Sequence, residues 1–298
     1  MANRHFAEIG DVWKHLALAE VLSLLDVHDY WESHSGSASY ALEPSPARDY
    51  GALRFREHAG ASPDLARSRY AALLAECSGR GRYPGSPRSA LSCAPGAEFL
   101  FCDTDPASLE TIRAEAGRLS LPPARVRTVL ADGVETLGAA LDTLPDERAR
   151  NLLVFLDPYR PLEPGPSGVR SLDLFWRATT RGARVLLWYG FGNFAFRDDF
   201  LRAVRDAGDA CRADAASCGL WRAEVTPEFV HAGIEDATGC HIGAGVLCAN
   251  PGERAVATCR RLGHALAGVY ADATLADGTP AALRFTESTP GMPITCSR

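Results

Sequence analysis

The sequence predicts an α/β protein built on a doubly wound, mostly parallel sheet. Three observations carry this reading. From residue 97 onward short apolar runs alternate with amphipathic helical stretches, the pattern of strands buried on both faces between covering helices. Acidic or small-residue turns follow those runs, where ligands sit in such a sheet. The 298 residues are 46% hydrophobic and 23% charged, enough for one large core.

The elements follow in order. Asp11–Leu25 spaces Val12, Leu16, Leu18, Val21, Leu22 and Leu25 close to a helical period. The short run His28–Ser33 leads into Ser33-His34-Ser35-Gly36-Ser37-Ala38-Ser39-Tyr40, a small-residue turn where backbone must come close to something. Residues 41–92 are rich in proline, glycine and arginine around one clear helix, Pro63–Glu76, and read as a helical insertion. The sheet domain is therefore expected over 1–40 and 93–298, with 41–92 as a subdomain. Strands are expected at Glu98–Cys102, Arg125–Leu130, Leu152–Leu156, Ala183–Tyr189, Cys218–Val225 and Gly243–Ala249. Helices are expected at Pro106–Arg118, Val134–Thr143, Leu172–Thr180, Arg197–Asp206 and Glu253–Leu266. The last two strands lack an obvious helix between them, which predicts an antiparallel hairpin at the sheet edge.

Charge and cysteine usage narrow the function classes. Thirty-one Lys+Arg against 37 Asp+Glu give a net charge of −6, which tilts against a protein that lives on nucleic acid. Lys14 is the sole lysine. No apolar run approaches a bilayer span, and the amino terminus has no apolar leader stretch. Nine scattered cysteines form no C-x-x-C pair and no zinc spacing, so reduced thiols in a cytoplasmic protein without a metal are expected.

Four loops should collect beyond the strand ends: Ser33–Tyr40, Asp103–Asp105, Ala131-Asp132-Gly133 and Asp157–Arg160. An acidic residue ending the second strand can accept both hydroxyls of a ribose. An Asp before a helix can accept from an adenine amino group, and the small-residue turn admits a carboxylate-and-sulfonium tail. These are the needs of an adenosyl cofactor. Each residue also has a plainer role: Asp105 and Asp132 as helix N-caps, Gly36 as a tight turn, His5, His15 and His34 as surface or core histidines. Lys14 is either a solvated helix lysine or the partner of a ligand carboxylate.

These motifs resemble those of the bacterial 23S rRNA adenine-N6 methyltransferases. Gly10-Asp11-Val12-Trp13-Lys14-His15 is similar to that family's Asp-Val-x-Lys-His helix start, and Ser33–Tyr40 to its Thr-His-Ala-Gly-Ala-Gly-x-Tyr loop. Tyr83-Pro84-Gly85-Ser86-Pro87 matches its insertion motif, Asp103 falls at its ribose-binding acid, and Ala131-Asp132-Gly133 matches its adenine loop. The resemblance implies a Rossmann-like S-adenosylmethionine-dependent methyltransferase fold with a small helical insertion. It also implies S-adenosylmethionine contacts from Lys14, His15, His34, Gly36, Ser86, Asp103, Asp132 and Asp157.

The catalytic motif departs from the family. Its Asp-Pro-Pro-Tyr reads here Asp157-Pro158-Tyr159-Arg160. Asp157, Pro158 and Tyr159 are the expected catalytic residues, with Tyr159 and Arg160 toward the acceptor. Asp157 can still accept from an amine, and Tyr159 can offer a ring face to a cation. Arg160 is expected to pair with a carboxylate of the acceptor or cofactor. The departures bear on the acceptor and lead to methyl transfer onto a small-molecule amine as the first expectation. The alternatives are adenine methylation on 23S rRNA, and cyclisation of S-adenosylmethionine to a small ring amino acid with release of methylthioadenosine.

Overall fold

The computed structural model describes residues 5–211, 218–231, 243–275 and 277–288. Helix α1 (Ile9–Leu24) starts on a reciprocal cap between Glu8 and Asp11, and β1 (Asp29–Glu32) and β2 (Ser39–Ala41) follow. Next come α2 (Pro46–Arg48), a π turn over Asp49–Leu53, α3 (Arg54–His58), α4 (Pro63–Ala66), α5 (Arg69–Ser78), β3 (Arg82–Pro84) and α6 (Ser86–Cys93). The single helix expected over Pro63–Glu76 is thus two. The Ser68 side chain accepts from the Ala71 amide and starts a new helix in mid-run. Antiparallel pairing of β2 with β3 was not foreseen, and it joins the small-residue turn to the Tyr83–Pro87 motif.

The regular half contains β4 (Glu98–Asp103), α7 (Pro106–Arg118), β5 (Val126–Leu130), α8 (Gly133–Thr143), α9 (Asp146–Ala149) and β6 (Leu152–Leu156). It continues with α10 (Ser171–Thr180), β7 (Arg184–Phe191), α11 (Phe194–Ala210), β8 (Trp221–Pro227), α12 (Glu228–His231), β9 (Gly243–Ala249), α13 (Glu253–Val269) and β10 (Leu283–Ser288). Asn193 caps α11 and starts it ahead of the expected Arg197.

The eight strands lie in the order β10-β8-β9-β7-β6-β1-β4-β5. Strands β5, β4, β1, β6 and β7 are mutually parallel, whereas β9 runs antiparallel to both its neighbours and β10 antiparallel to β8. This is a Rossmann-like, doubly wound, mostly parallel sheet in which two strands, the inner β9 and the edge strand β10, run against the others. The expected hairpin of β8 and β9 exists, but not at the edge. All seven residues of β9 are buried, because it lies between β7 and β8. That edge is β10, an alternating Leu283-Arg284-Phe285-Thr286 strand outside the elements expected from sequence.

Glycines make the inner position of β9 possible. A Cβ on Gly245 would lie 2.2 Å from the Tyr189 ring, and one on Gly243 2.2 Å from Phe191. Two apolar layers cover the sheet. One joins α1 and α13 to Tyr50, Phe55, Tyr70 and Leu74 of the 46–93 segment. The other packs α8, α10 and α11 on the opposite face. The chain order reverses direction around β1, which leaves a crevice at the carboxyl ends of β1 and β6. No helix among the described residues is long and apolar enough to cross a membrane.

Candidate active site

At the end of β6, Asp157 Oδ2 accepts a 2.7 Å hydrogen bond from Lys14 Nζ. Lys14 also pairs with Asp11 Oδ1 at 2.8 Å. Both carboxylates therefore share one ammonium, which lies 4.9 Å from the centroid of the Trp188 ring. Helix α1 can deliver Lys14 there because Gly10 packs against Ala244 and Trp188, where a Cβ would meet Ala244 Cβ at 3.1 Å. Lys14 is 5% exposed. Burial alone would lower its pKa, but the charges of Asp11 and Asp157 outweigh burial and raise it. Burial likewise opposes ionisation of Asp11, and the Lys14 charge and hydrogen bonds hold that carboxyl below its ordinary value.

Two clefts that share Asp11, Lys14 and Asp157 border this triad. One is lined by His5, Glu8, Asp11, Lys14, Asp157, Tyr159 and Trp188. The other, smaller one adds His15, His34, Gly36, Tyr40, Tyr83 and Ser86 to Lys14 and Asp157. Burial lowers the pKa of both histidines, that of His15 to about 3 with help from the Lys14 charge, so both rings are neutral at pH 7.

The turn after β1 is shaped by close contacts. Gly36 has φ +60°, and its amide donates to Asp103 Oδ2 at 2.7 Å. Asp103 Oδ1 accepts from the Asp105 amide at 2.8 Å. Asp105 and Asp132 both act as N-caps, of α7 and α8. Gly133 is irreplaceable on steric grounds, since a Cβ there would lie 1.8 Å from the Ser33 carbonyl oxygen. Gly133→Ala is expected to cost roughly 3 kcal/mol, read as a shift in the urea midpoint. Unchanged stability would mean that α8 can move off β1.

Of the sequence-derived residues, Lys14, His15, His34, Gly36, Ser86, Asp157 and Tyr159 line the paired clefts. Asp103 sits directly behind Gly36, while Asp132 and Pro158 line neither cleft. Arg160 lies outside as well. Its side chain is 63% exposed and pairs with Glu163 at 2.7 Å, so the expected carboxylate partner comes from the chain itself. Lys14, expected to meet a ligand carboxylate, is instead committed to two protein carboxylates.

Sequence reasoning missed Glu32 and Trp188. Glu32 ends β1 fully buried and accepts from Tyr30 at 2.9 Å and Ser86 at 2.5 Å. Burial pushes its carboxyl well above the usual range, although both hydroxyls oppose this. Its position directly before Ser33 was the available signal. Trp188 gave none, because in sequence it is one more apolar residue of a buried strand. No group of His, Cys, Asp and Glu is arranged for a metal among the described residues.

No protein-family profile and no curated protein matches the chain. Its architecture is similar to that of solved structures. Protein LPL1258 of Legionella pneumophila, of family DUF519, superposes with a TM-score of 0.69 at 20% identity, over 96% of this chain and 99% of that one. A precorrin-6y C5,15-methyltransferase from Geobacter metallireducens gives a TM-score of 0.37 at 13% identity, over 79% and 86% of the two chains. A SAM-dependent methyltransferase from Agrobacterium tumefaciens gives 0.38 at 12%, over 80% and 60%.

Proposed function

We propose that this chain is an S-adenosylmethionine-dependent N-methyltransferase whose acceptor is a small amine. The observation that carries the reading is the Asp157–Lys14–Asp11 triad at the junction of two clefts, with Glu8 and the Trp188 indole beside it. Two carboxylates on one ammonium, with Glu8 lining the same cleft, suit an amine and repel a phosphate backbone. The Trp188 ring already faces the Lys14 ammonium and the Tyr159 ring the Arg160 guanidinium, so both rings stand in a cation-favouring rim.

The cofactor is assigned to the smaller cleft, where its motif residues gather. The Gly36 turn has no side chain to block a ligand tail, and each Asp103 oxygen keeps a lone pair for a ribose hydroxyl beyond the amide it already accepts. Asp132 would stand toward the adenine side. Arg160 lines neither cleft, and its exposed guanidinium pairs with Glu163.

When bound, S-adenosylmethionine supplies a methyl group already activated by its sulfonium, so the protein's task is alignment. Lys14 fixes Asp157 through Oδ2, and Oδ1 has no hydrogen-bond partner among the described residues. That oxygen accepts an N–H of the acceptor and points the nitrogen lone pair along the line of transfer.

Purified protein incubated with methyl-labelled S-adenosylmethionine and deproteinised metabolite extract should form S-adenosylhomocysteine and labelled small amines. Turnover only with 23S rRNA would shift the reading to the nucleic acid. Methylthioadenosine from the cofactor alone would shift it to cyclisation. Absence of binding to either S-adenosylmethionine or its demethylated product would remove the cofactor itself.

A further inference from the structure

Behind His15 stand two hydroxyls that the mechanism above does not use. His15 Nδ1 lies 2.8 Å from Tyr83 Oη, which lies 3.2 Å from Tyr70 Oη. All three side chains are buried, yet His15 and Tyr83 border the smaller cleft. Among the described residues the Tyr70 hydroxyl has Tyr83 as its only hydrogen-bond partner, so it donates there. Tyr83 Oη, with one lone pair so used, places its own proton on Nδ1. The single imidazole proton then belongs to Nε2, which has no hydrogen-bond partner among the described residues. A second proton on the ring would oppose the Tyr83 hydroxyl and sit buried beside Lys14.

We propose that Tyr83, backed by Tyr70, is a positioning residue that locks His15 as an Nε2–H donor for the carboxylate of an amino-acid ligand. The need for such a donor follows from the triad. Lys14, the sole lysine, spends its charge on Asp11 and Asp157. A ligand carboxylate in this cleft therefore requires another donor, and a neutral imidazole provides one without burying a second cation. Tyr83 reaches its place because β3 pairs with β2, and Gly85 lets the chain turn past Ser37, where a Cβ would meet the carbonyl oxygen at 2.1 Å. The inference rests on the cofactor reading and adds the atom that recognises its amino-acid end.

The test compares S-adenosylhomocysteine with methylthioadenosine, which lacks the amino-acid carboxylate, by calorimetry on wild type, Tyr83→Phe and Tyr70→Phe. Imidazole ¹⁵N spectra, assigned with His15→Gln, report the tautomer. Wild type should show Nδ1 unprotonated and Nε2 protonated. Tyr83→Phe should draw the two signals together and weaken S-adenosylhomocysteine five- to tenfold, about the worth of one hydrogen bond. Methylthioadenosine affinity should stay within twofold, and Tyr70→Phe should fall between. Equal loss for both ligands, unchanged S-adenosylhomocysteine affinity, or a protonated Nδ1 in wild type overturns the proposal while leaving the cofactor reading intact. If wild type binds neither ligand, both fall together.

Discussion

Lys14→Met should destabilise the protein by on the order of 3–5 kcal/mol at pH 7 and abolish methyl transfer. Methionine fills the same space, so the cost is electrostatic. Asp11 and Asp157, their side chains 13% and 16% exposed, would face each other without the cation that now joins them. Two close carboxylates cannot both ionise cheaply away from water. The pH dependence follows from the directions of the shifts. In wild type the depressed Asp11 contributes stability above the unfolded carboxylate value, roughly pH 4, and loses it as pH falls through the lower folded value. The raised Lys14 contributes below its ordinary value of 10.5 and loses it only as pH rises through the higher folded value. Between those limits wild type should show no slope from this pair. In Lys14→Met one carboxyl acquires a folded pKa above its unfolded value, so the variant should recover stability as pH falls from 7 toward 5. Urea denaturation across that range measures both effects. A variant as stable as wild type, with no pH slope, would show that the triad is solvated and not the buried ion cluster described above.

What the sequence made legible and what it hid differ in kind. Strands β4, β6 and β9 and helix α7 came out nearly residue for residue, because each is a continuous apolar or capped run whose signal is local. The break inside Pro63–Glu76 did not, since Ser68 reads as one polar residue in a helical pattern until its oxygen is seen on the Ala71 amide. Strand β10 and the β2–β3 pair were lost for another reason. They are short and partly exposed, and they exist through pairing with distant segments. At the site, ordered motifs placed Lys14, His34, Gly36, Ser86 and Asp157 around one crevice. They could not say whom each would touch. Lys14 meets two carboxylates of its own chain, 3 and 143 residues away. Asp103, expected for a ribose, also holds the Gly36 and Asp105 amides. Gly133 reads as part of a motif in sequence, and only the Ser33 carbonyl beside it supplies the physical reason.

The same triad separates catalysis from stability in a second substitution. Asp157→Asn keeps the shape of the side chain and leaves an oxygen able to accept from Lys14 Nζ, while Asp11 still balances the ammonium at 2.8 Å. Folding should therefore suffer far less than in Lys14→Met. Methyl transfer should fall on the order of 10²–10⁴-fold, the range for losing a positioned proton acceptor. With the amide oxygen held by Lys14, the free corner carries an NH₂ where Oδ1 now stands, and a donor there opposes an incoming N–H. Affinity for S-adenosylhomocysteine should change little, so the loss belongs in kcat. Asp11→Asn is the counterpart. It removes the other carboxylate from Lys14 and one of the two carboxylates of the α1 cap, and should lower stability while leaving turnover within a few-fold, because Asp157 keeps its partner. The pair of variants is read by single-turnover rates beside urea midpoints. If Asp157→Asn turns over like wild type, or if Asp11→Asn is the more damaging of the two to rate, the acceptor nitrogen is not aligned by Asp157, and the reacting centre must be sought elsewhere along the cleft.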